Sequence, residues 1–240
     1  MRTDGRQFDQ IRPVTIEPEV LRYAEGSAKI TMGETIVVCT ASLEDGTPKW
    51  LQGSGSGWVT AEYGMLPRST HSRIRRDKAL SGGRTQEISR LIGRSLRAAV
   101  DLKALGENQI TVDCDVLQAD GGTRTAAITG GFVALALALR FMKQQGIVKQ
   151  IPILNYVAAI SVGLHNGQAL LDLNYDEDSN IHTDMNFVMT NDKRFIEIQG
   201  TAEDTPFTRS ELDNLLSMAE KGCLELVEKQ RALIGEFITL

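Results

Sequence analysis

The chain has no excess of positive charge, no paired-cysteine motif and no low-complexity tract, and each absence narrows what it can be. Its 240 residues include 26 Lys or Arg and 31 Asp or Glu, a formal net charge of −5. That excludes a protein that coats nucleic acid indiscriminately, although it leaves room for a local basic groove. The three cysteines, Cys39, Cys114 and Cys223, are odd in number, far apart and without a CxxC spacing. Cys39 and Cys114 lie in apolar, strand-like runs, so buried thiols in a reducing, cytoplasmic setting are expected in place of disulfides or zinc. The polar, charged stretch from Met1 to Arg12 does not read as a signal peptide. The longest apolar run, between Arg124 and Arg140, is expected to be too short to span a bilayer and is broken by glycines. G-x-S-x-G, P-loop, H-E-x-x-H and complete dinucleotide fingerprints are all missing. Accordingly His165 is expected to be a structural or surface histidine, and Trp50 and Trp58 to be packing residues.

A hydrophobic content of 42% with 24% charged residues is enough for an ordered domain with a real core. Ala28–Thr31 and Thr35–Leu43 predict paired strands, the second rich in β-branched residues. A Gly/Ser punctuator, Gly53 to Gly57, precedes a strand from Trp58 to Tyr63. After a polar loop, Thr85 to Leu105 predicts a helix through Ile88, Leu91, Ile92, Leu96 and Ala99, with Thr85 as N-cap and Gly106 as its stop. Gln109–Leu117 predicts a strand, and the run after Arg124 predicts a helix to about Gln145. On that helix Gly130, Ala134 and Ala138 form a small face that can lie close to another element. A second half begins near Pro152. Its predicted strands are Val157–Leu164, Ala169–Asn174, Asn186–Thr190 and Phe195–Ile198, with Asn166-Gly167 as a hairpin turn. An amphipathic helix from Thr208 to about Ile234 closes the chain. Residues 1–150 and 151–240 each give strands and then a helix, which predicts an α+β fold of two β-α layers with mixed sheets sharing a core.

Three constellations carry chemistry. Ala119-Asp120-Gly121-Gly122-Thr123-Arg124 leads directly into a helix. Glycines allow a tight turn, unpaired N–H groups at the helix start favour an anion, and the arginine adds a fork of donors. Gly82-Gly83-Arg84 has the same grammar, so two guanidinium groups could surround one phosphate. Arg68, Arg73, Arg75, Arg76 and Lys78 crowd into eleven residues against Asp77 alone, a pattern suited to polyanion steering or to a plain solvated loop. No aromatic interleaves with them, so base stacking is not suggested there. Finally, Asp176, Glu177, Asp178 and Asp184 place four carboxylates within nine residues. Such a cluster can hold Mg²⁺ together with a substrate phosphate, can supply a general acid, or can be a solvated acidic loop.

Taken together, these pieces resemble the ribonuclease PH family of phosphorolytic 3′-to-5′ exoribonucleases over almost the full length. The resemblance rests on Ile11-Arg12-Pro13-Val14, Ala24-Glu25-Gly26-Ser27, the run from Gly57 to Thr70, Gly83-Arg84-Thr85, the run from Asp113 to Thr125, and Thr183-Asp184-Met185-Asn186. It implies a fold like the second domain of ribosomal protein S5 and a homohexamer built as a trimer of dimers. By the family's motifs, phosphate binding falls on Arg84, Gly122, Thr123 and Arg124. Metal binding and catalysis fall on Asp178 and Asp184, and RNA holding on Arg68, Arg73 and Arg76. Related polynucleotide phosphorylases carry a further aspartate where this chain has Asn186. The implied reaction is reversible, phosphate-dependent trimming of precursor tRNA, with rRNA as a further substrate, Mg²⁺ as cofactor and no membrane partner. A hydrolytic two-metal nuclease and a catalytically silent RNA-binding ring subunit are the competing readings.

Overall fold

The computed structural model describes residues 2, 4–76, 82–203 and 205–238. Two sheets share one hydrophobic core through a central helix. The first sheet contains β1 (Val14–Pro18), β2 (Gly26–Met32), β3 (Thr35–Glu44), β4 (Trp58–Met65) and β5 (Gln109–Gln118), in the order β1-β2-β3-β5-β4. Its alternating pattern sends Ala28, Ile30, Val37, Cys39, Val112 and Cys114 inward. All pairs are antiparallel except β4 with β5. That parallel pair requires a crossover, which α1 (Gly83–Arg97) and the short α2 (Leu102–Leu105) supply.

The helix predicted over Thr85–Leu105 is thus two helices. Between them the chain leaves helical geometry to meet the second half: Val100 bridges Ile153, and the Ala99 carbonyl accepts from the Leu154 amide. Asp101 then caps α2 by accepting from the amides of Lys103 and Ala104. The N-cap of α1 is Gly82, and Thr85 is a buried residue within the helix.

The core helix α3 (Thr123–Gln144) is buried along nearly its whole length, because β2, β3 and β5 lie on one flank and β6 (Val157–His165) on the other. With 22 residues it is long and apolar enough to cross a membrane by length and composition, contrary to expectation, yet 89% of its apolar window is buried inside the protein. Its small face works as predicted. Gly26 of β2 lies so close that an added Cβ would strike the Ala134 carbonyl and come within 2.5 Å of the Ala138 amide nitrogen.

The second sheet has the order β7-β6-β8-β9 and is wholly antiparallel. Its strands are β6 (Val157–His165), β7 (Gln168–Leu171), β8 (Thr183–Thr190) and β9 (Phe195–Ala202). Asn166 and Gly167 both take positive φ at the predicted hairpin. The strand expected over Ala169–Asn174 stops at Leu171, because Asp172 turns into the left-handed region and Asn174 caps a one-turn helix, α4 (Tyr175–Asp178). The closing helix α5 (Arg209–Ile234) starts at Thr208 with a reciprocal capping box to Glu211 and covers β6 and β7.

All three cysteines are buried and unpaired. Trp50, expected to pack, is 67% exposed and touches Trp58 edge-on, while Trp58 is covered by the Arg97 guanidinium at 4.2 Å. Because Gly26 admits no side chain against the α3 backbone, Gly26→Ala is expected to destabilise the protein by about 1–3 kcal/mol. Urea denaturation monitored by circular dichroism measures this loss.

Candidate active site

The site forms where the N-terminus of α3 meets the start of the second sheet. Gly121 and Gly122 both have positive φ, +71° and +64°. Gly121 also passes so close to the 173–175 backbone that a Cβ would lie 2.5 Å from the Leu173 carbonyl oxygen. Glycine is therefore required at Gly121 on two counts, conformation and space. The other Gly-Gly pair differs. Gly82 is extended with φ −65°, and a Cβ on Gly83 would meet open space. The two pairs share a sequence grammar without sharing a geometry, although both deliver an arginine to the same place.

That place is a cavity of about 490 Å³ whose walls include Arg84 from α1, Gly122, Thr123 and Arg124 from the start of α3, and Asp178, Asp184 and Asn186 from the second half. Residues more than a hundred positions apart in sequence thus face one space. Of the four clustered carboxylates only two reach it. Glu177 is turned away into a buried ion pair with Arg2 at 2.6 Å and into the capping box with Asn174. Asp178 ends the helical turn α4, and Asp184 sits on strand β8, where a loop was expected.

The electrostatics balance opposing effects. Burial pushes Asp184 up to about 6, and the neighbouring Asp178 adds to this while Arg124 and Arg84 pull the other way. Asp178 is raised mainly by burial, against the same two guanidinium groups and Arg12. The Asp184 Oδ1 atom is buried with no hydrogen-bond partner. Arg124 is held by donating from Nη1 to the Gln199 side-chain oxygen at 3.0 Å, with Glu87 at 3.7 Å.

Arg68, Arg73 and Arg76 do not line the cavity. Their loop forms part of its wall through Thr70, His71, Ser72 and Ile74, while Arg73 and Arg76 point outward and are exposed. Arg68 donates to the His71 carbonyl. Lys78 and Asp77 of the basic loop lie outside the described residues. On the outer face of α1, Arg94 pairs Glu197 through two hydrogen bonds and Arg97 covers Trp58.

Several residues at the site escaped sequence reasoning. Buried Tyr63 donates its hydroxyl to the Thr123 hydroxyl at 2.9 Å. Ser161 lies in the cavity wall and accepts from the Leu173 amide. Tyr175, 48% exposed, meets His71 at 5.4 Å to make an aromatic side of the cavity. Arg12 and Asp172 form a buried ion pair beneath the glycine turn. Arg12 stands in a recognisable motif, but nothing local marks Asp172, whose partner is 160 residues away.

Comparison with known proteins gives the family. Domain 1 of the 3′ exoribonuclease family matches residues 10–140, and domain 2 of the same family matches residues 155–222. The chain belongs to this family. A relative named Ribonuclease PH, from Bdellovibrio bacteriovorus, is 66% identical over 236 residues, covering 98% of this chain and 97% of its own. Among solved structures, rice (Oryza sativa) Rrp46 superimposes with a TM-score of 0.79 at 20% identity, covering 97% of this chain and 100% of that one. An Archaeoglobus fulgidus exosome with RNA bound to the active site gives a TM-score of 0.78 at 25% identity, covering 95% and 92% of the two chains. The fold is that of ribonuclease PH-like subunits, and the activity is that of a phosphorolytic 3′ exoribonuclease.

The raised Asp184 carboxyl fixes the sign of one pH effect. With its folded pKa above its unfolded one, Asp184 makes the folded protein lose stability as pH rises from about 4 to about 6. In a chelating buffer at pH 8, Asp184→Asn is expected to be more stable than the wild type by about 2 kcal/mol, with the gain shrinking below pH 6. Chemical denaturation at pH 5 and pH 8 measures the difference.

Proposed function

We propose that the protein trims the 3′ ends of precursor tRNA, with rRNA as a further substrate, and that inorganic phosphate is the attacking group. The observation that carries this reading is the convergence of Arg84 and Arg124 on one cavity with the Gly122-Thr123 turn and the Asp178–Asp184 pair. Phosphate is largely dianionic near neutral pH, so it needs no strong base to become a nucleophile. Two guanidinium groups and the N–H groups at the start of α3 hold it by charge-assisted hydrogen bonds. Tyr63 donates to the Thr123 hydroxyl, which leaves the Thr123 proton free to point at a phosphate oxygen. A phosphate oxygen attacks the phosphorus of the last internucleotide link. The bond from that phosphorus to the 3′ oxygen breaks, the 3′ oxygen takes up a proton, and a nucleoside diphosphate leaves with RNA one residue shorter. A phosphoanhydride replaces a phosphodiester, so the step is readily reversible.

The acidic side of the cavity fits Mg²⁺. Its donors are hard oxygens from Asp178, Asp184 and Asn186, and one of them, Asp184 Oδ1, is buried without a partner. When bound by Asp178 and Asp184, the cation offsets the negative charge that gathers on the leaving 3′ oxygen. Burial keeps both carboxylates poised to take either a cation or a proton. The Tyr175 and His71 rings, tilted by 54° to each other, offer an aromatic face for the terminal base, and Arg68, Arg73 and Arg76 hold the RNA body outside the cavity. Assembly as a homohexamer, a trimer of dimers, belongs to the same reading. It is supported by the exposed apolar residues Phe195 and Ile198 on the edge strand β9, and a sedimentation mass six times that of the chain tests it. Cytoplasmic action agrees with three buried, unpaired thiols.

Incubation with 3′-extended tRNA and Mg²⁺, with or without phosphate, is expected to release nucleoside diphosphates only when phosphate is present. Monophosphates released without it would indicate hydrolysis, and no release at all a silent RNA-binding subunit. Arg124→Ala is expected to lower phosphate-dependent trimming by roughly 100-fold or more while RNA binding survives. Reversing charge at Arg73 and Arg76 is expected to weaken tRNA binding and reduce the dependence of log K on log salt by about one per lost phosphate contact, read from binding titrations across salt.

A further inference from the structure

Beneath the glycine turn, Arg12 is 3% exposed and Asp172 is 0% exposed. The Asp172 carboxylate accepts from the Arg12 amide at 2.7 Å, from its Nε at 3.0 Å and from its Nη2 at 2.7 Å. So anchored, the guanidinium reaches up to the turn. Nη1 donates to the Asp120 carbonyl at 2.5 Å, and Nη2 lies 3.4 Å from the Gly121 carbonyl. The Thr35 hydroxyl closes the other side by donating to the Gly121 carbonyl at 2.7 Å and accepting from the Asp120 amide at 2.9 Å.

We infer that Arg12 and Thr35 are positioning residues that fix two successive peptide planes of the phosphate turn. In a trans peptide the N–H points opposite to the C=O. Tying down the Asp120 carbonyl therefore turns the Gly121 N–H the other way, and tying down the Gly121 carbonyl does the same for the Gly122 N–H. The Gly122 carbonyl is itself held by the Ala126 amide and the Thr125 hydroxyl, so the Thr123 N–H follows the same sense. Three consecutive N–H groups are thereby presented to the cavity that Gly121, Gly122 and Thr123 line, a concave anion nest. Glycine flexibility makes the restraint necessary: with φ free to change sign, either peptide could flip and aim a carbonyl oxygen at the anion. Asp172, which Arg6 also approaches at 3.5 Å, offsets the Arg12 charge, so the contribution of Arg12 is one of orientation more than of net attraction.

This inference rests on the phosphate reading of the cavity, and the test separates the two. Phosphate KM, kcat, tRNA binding and thermal midpoint are measured for Thr35→Val, Thr35→Ser, Arg12→Lys and Arg124→Ala. Thr35→Val keeps the shape and removes the hydroxyl, and Arg12→Lys keeps the charge and removes the fork. Both are expected to raise the KM for phosphate about ten-fold or more, the scale of a lost buried hydrogen bond, with tRNA affinity within two-fold of wild type. Thr35→Ser is expected to restore the KM. A folded Thr35→Val or Arg12→Lys with unchanged phosphate KM overturns the positioning role, even if its thermal midpoint falls. Should Arg12→Lys fail to fold, the Thr35 pair decides. If Arg124→Ala also leaves the phosphate KM unchanged, the phosphate reading fails. If only Arg124→Ala raises it, the positioning role fails alone.

Discussion

The near-contact between Gly121 and the backbone at Leu173–Tyr175 is the constraint on which the site depends. It joins the turn that starts α3 to the segment that carries Asp178, with no room for a side chain between them. The Tyr175 amide donates to the Asp120 carboxylate across this seam, and the Asp172 amide donates to the Ser161 carbonyl. The cationic wall and the acidic wall of the cavity are therefore joined directly through the backbone. A looser joint would let the carboxylates swing onto the arginines and neutralise them, and the phosphate turn would lose its charge to its own protein.

Apart from Glu87, 3.7 Å from Arg124, the neighbouring carboxylates are committed elsewhere or left unsatisfied. Glu177 belongs to Arg2, Asp172 to Arg12, and Glu197 to Arg94. Asp178 and Asp184 remain, partly buried, with burial opposing their ionisation and the arginines favouring it. This unresolved balance costs stability, and it marks the residues whose surroundings suit a bound cation or a transferred proton better than a settled ion pair.

How much of this was legible in the sequence follows from how local each signal is. Strand alternation, the Asn166-Gly167 turn and the apolar period after Thr208 act within a few residues, and the elements they predict are present. The single helix expected after Thr85 is divided: its apolar period continues through Ala99, while the break comes from a bridge to Ile153 that no local pattern contains. The cavity was legible as motifs, since Arg84, Gly122, Arg124, Asp178 and Asp184 each sit in a distinctive run. Its scaffold was not. Asp172 has ordinary neighbours, and its importance arises only when Arg12, 160 residues earlier, folds against it. Tyr63 likewise reads as one more inward residue of a strand, until its hydroxyl is seen to end on Thr123.

The central helix α3 has a consequence for the birth of the chain. Its 22 residues, most of them apolar, are covered on one flank by strands made before it and on the other by β6, with α5 closing over that strand later. During synthesis the first flank can close as soon as α3 leaves the ribosome, but the second stays bare until the following strands emerge. In that interval the nascent polypeptide displays a segment with the length and greasiness of a bilayer-spanning helix. The sooner the strands and helix that follow α3 emerge, the shorter the interval in which that apolar surface is open to aggregation.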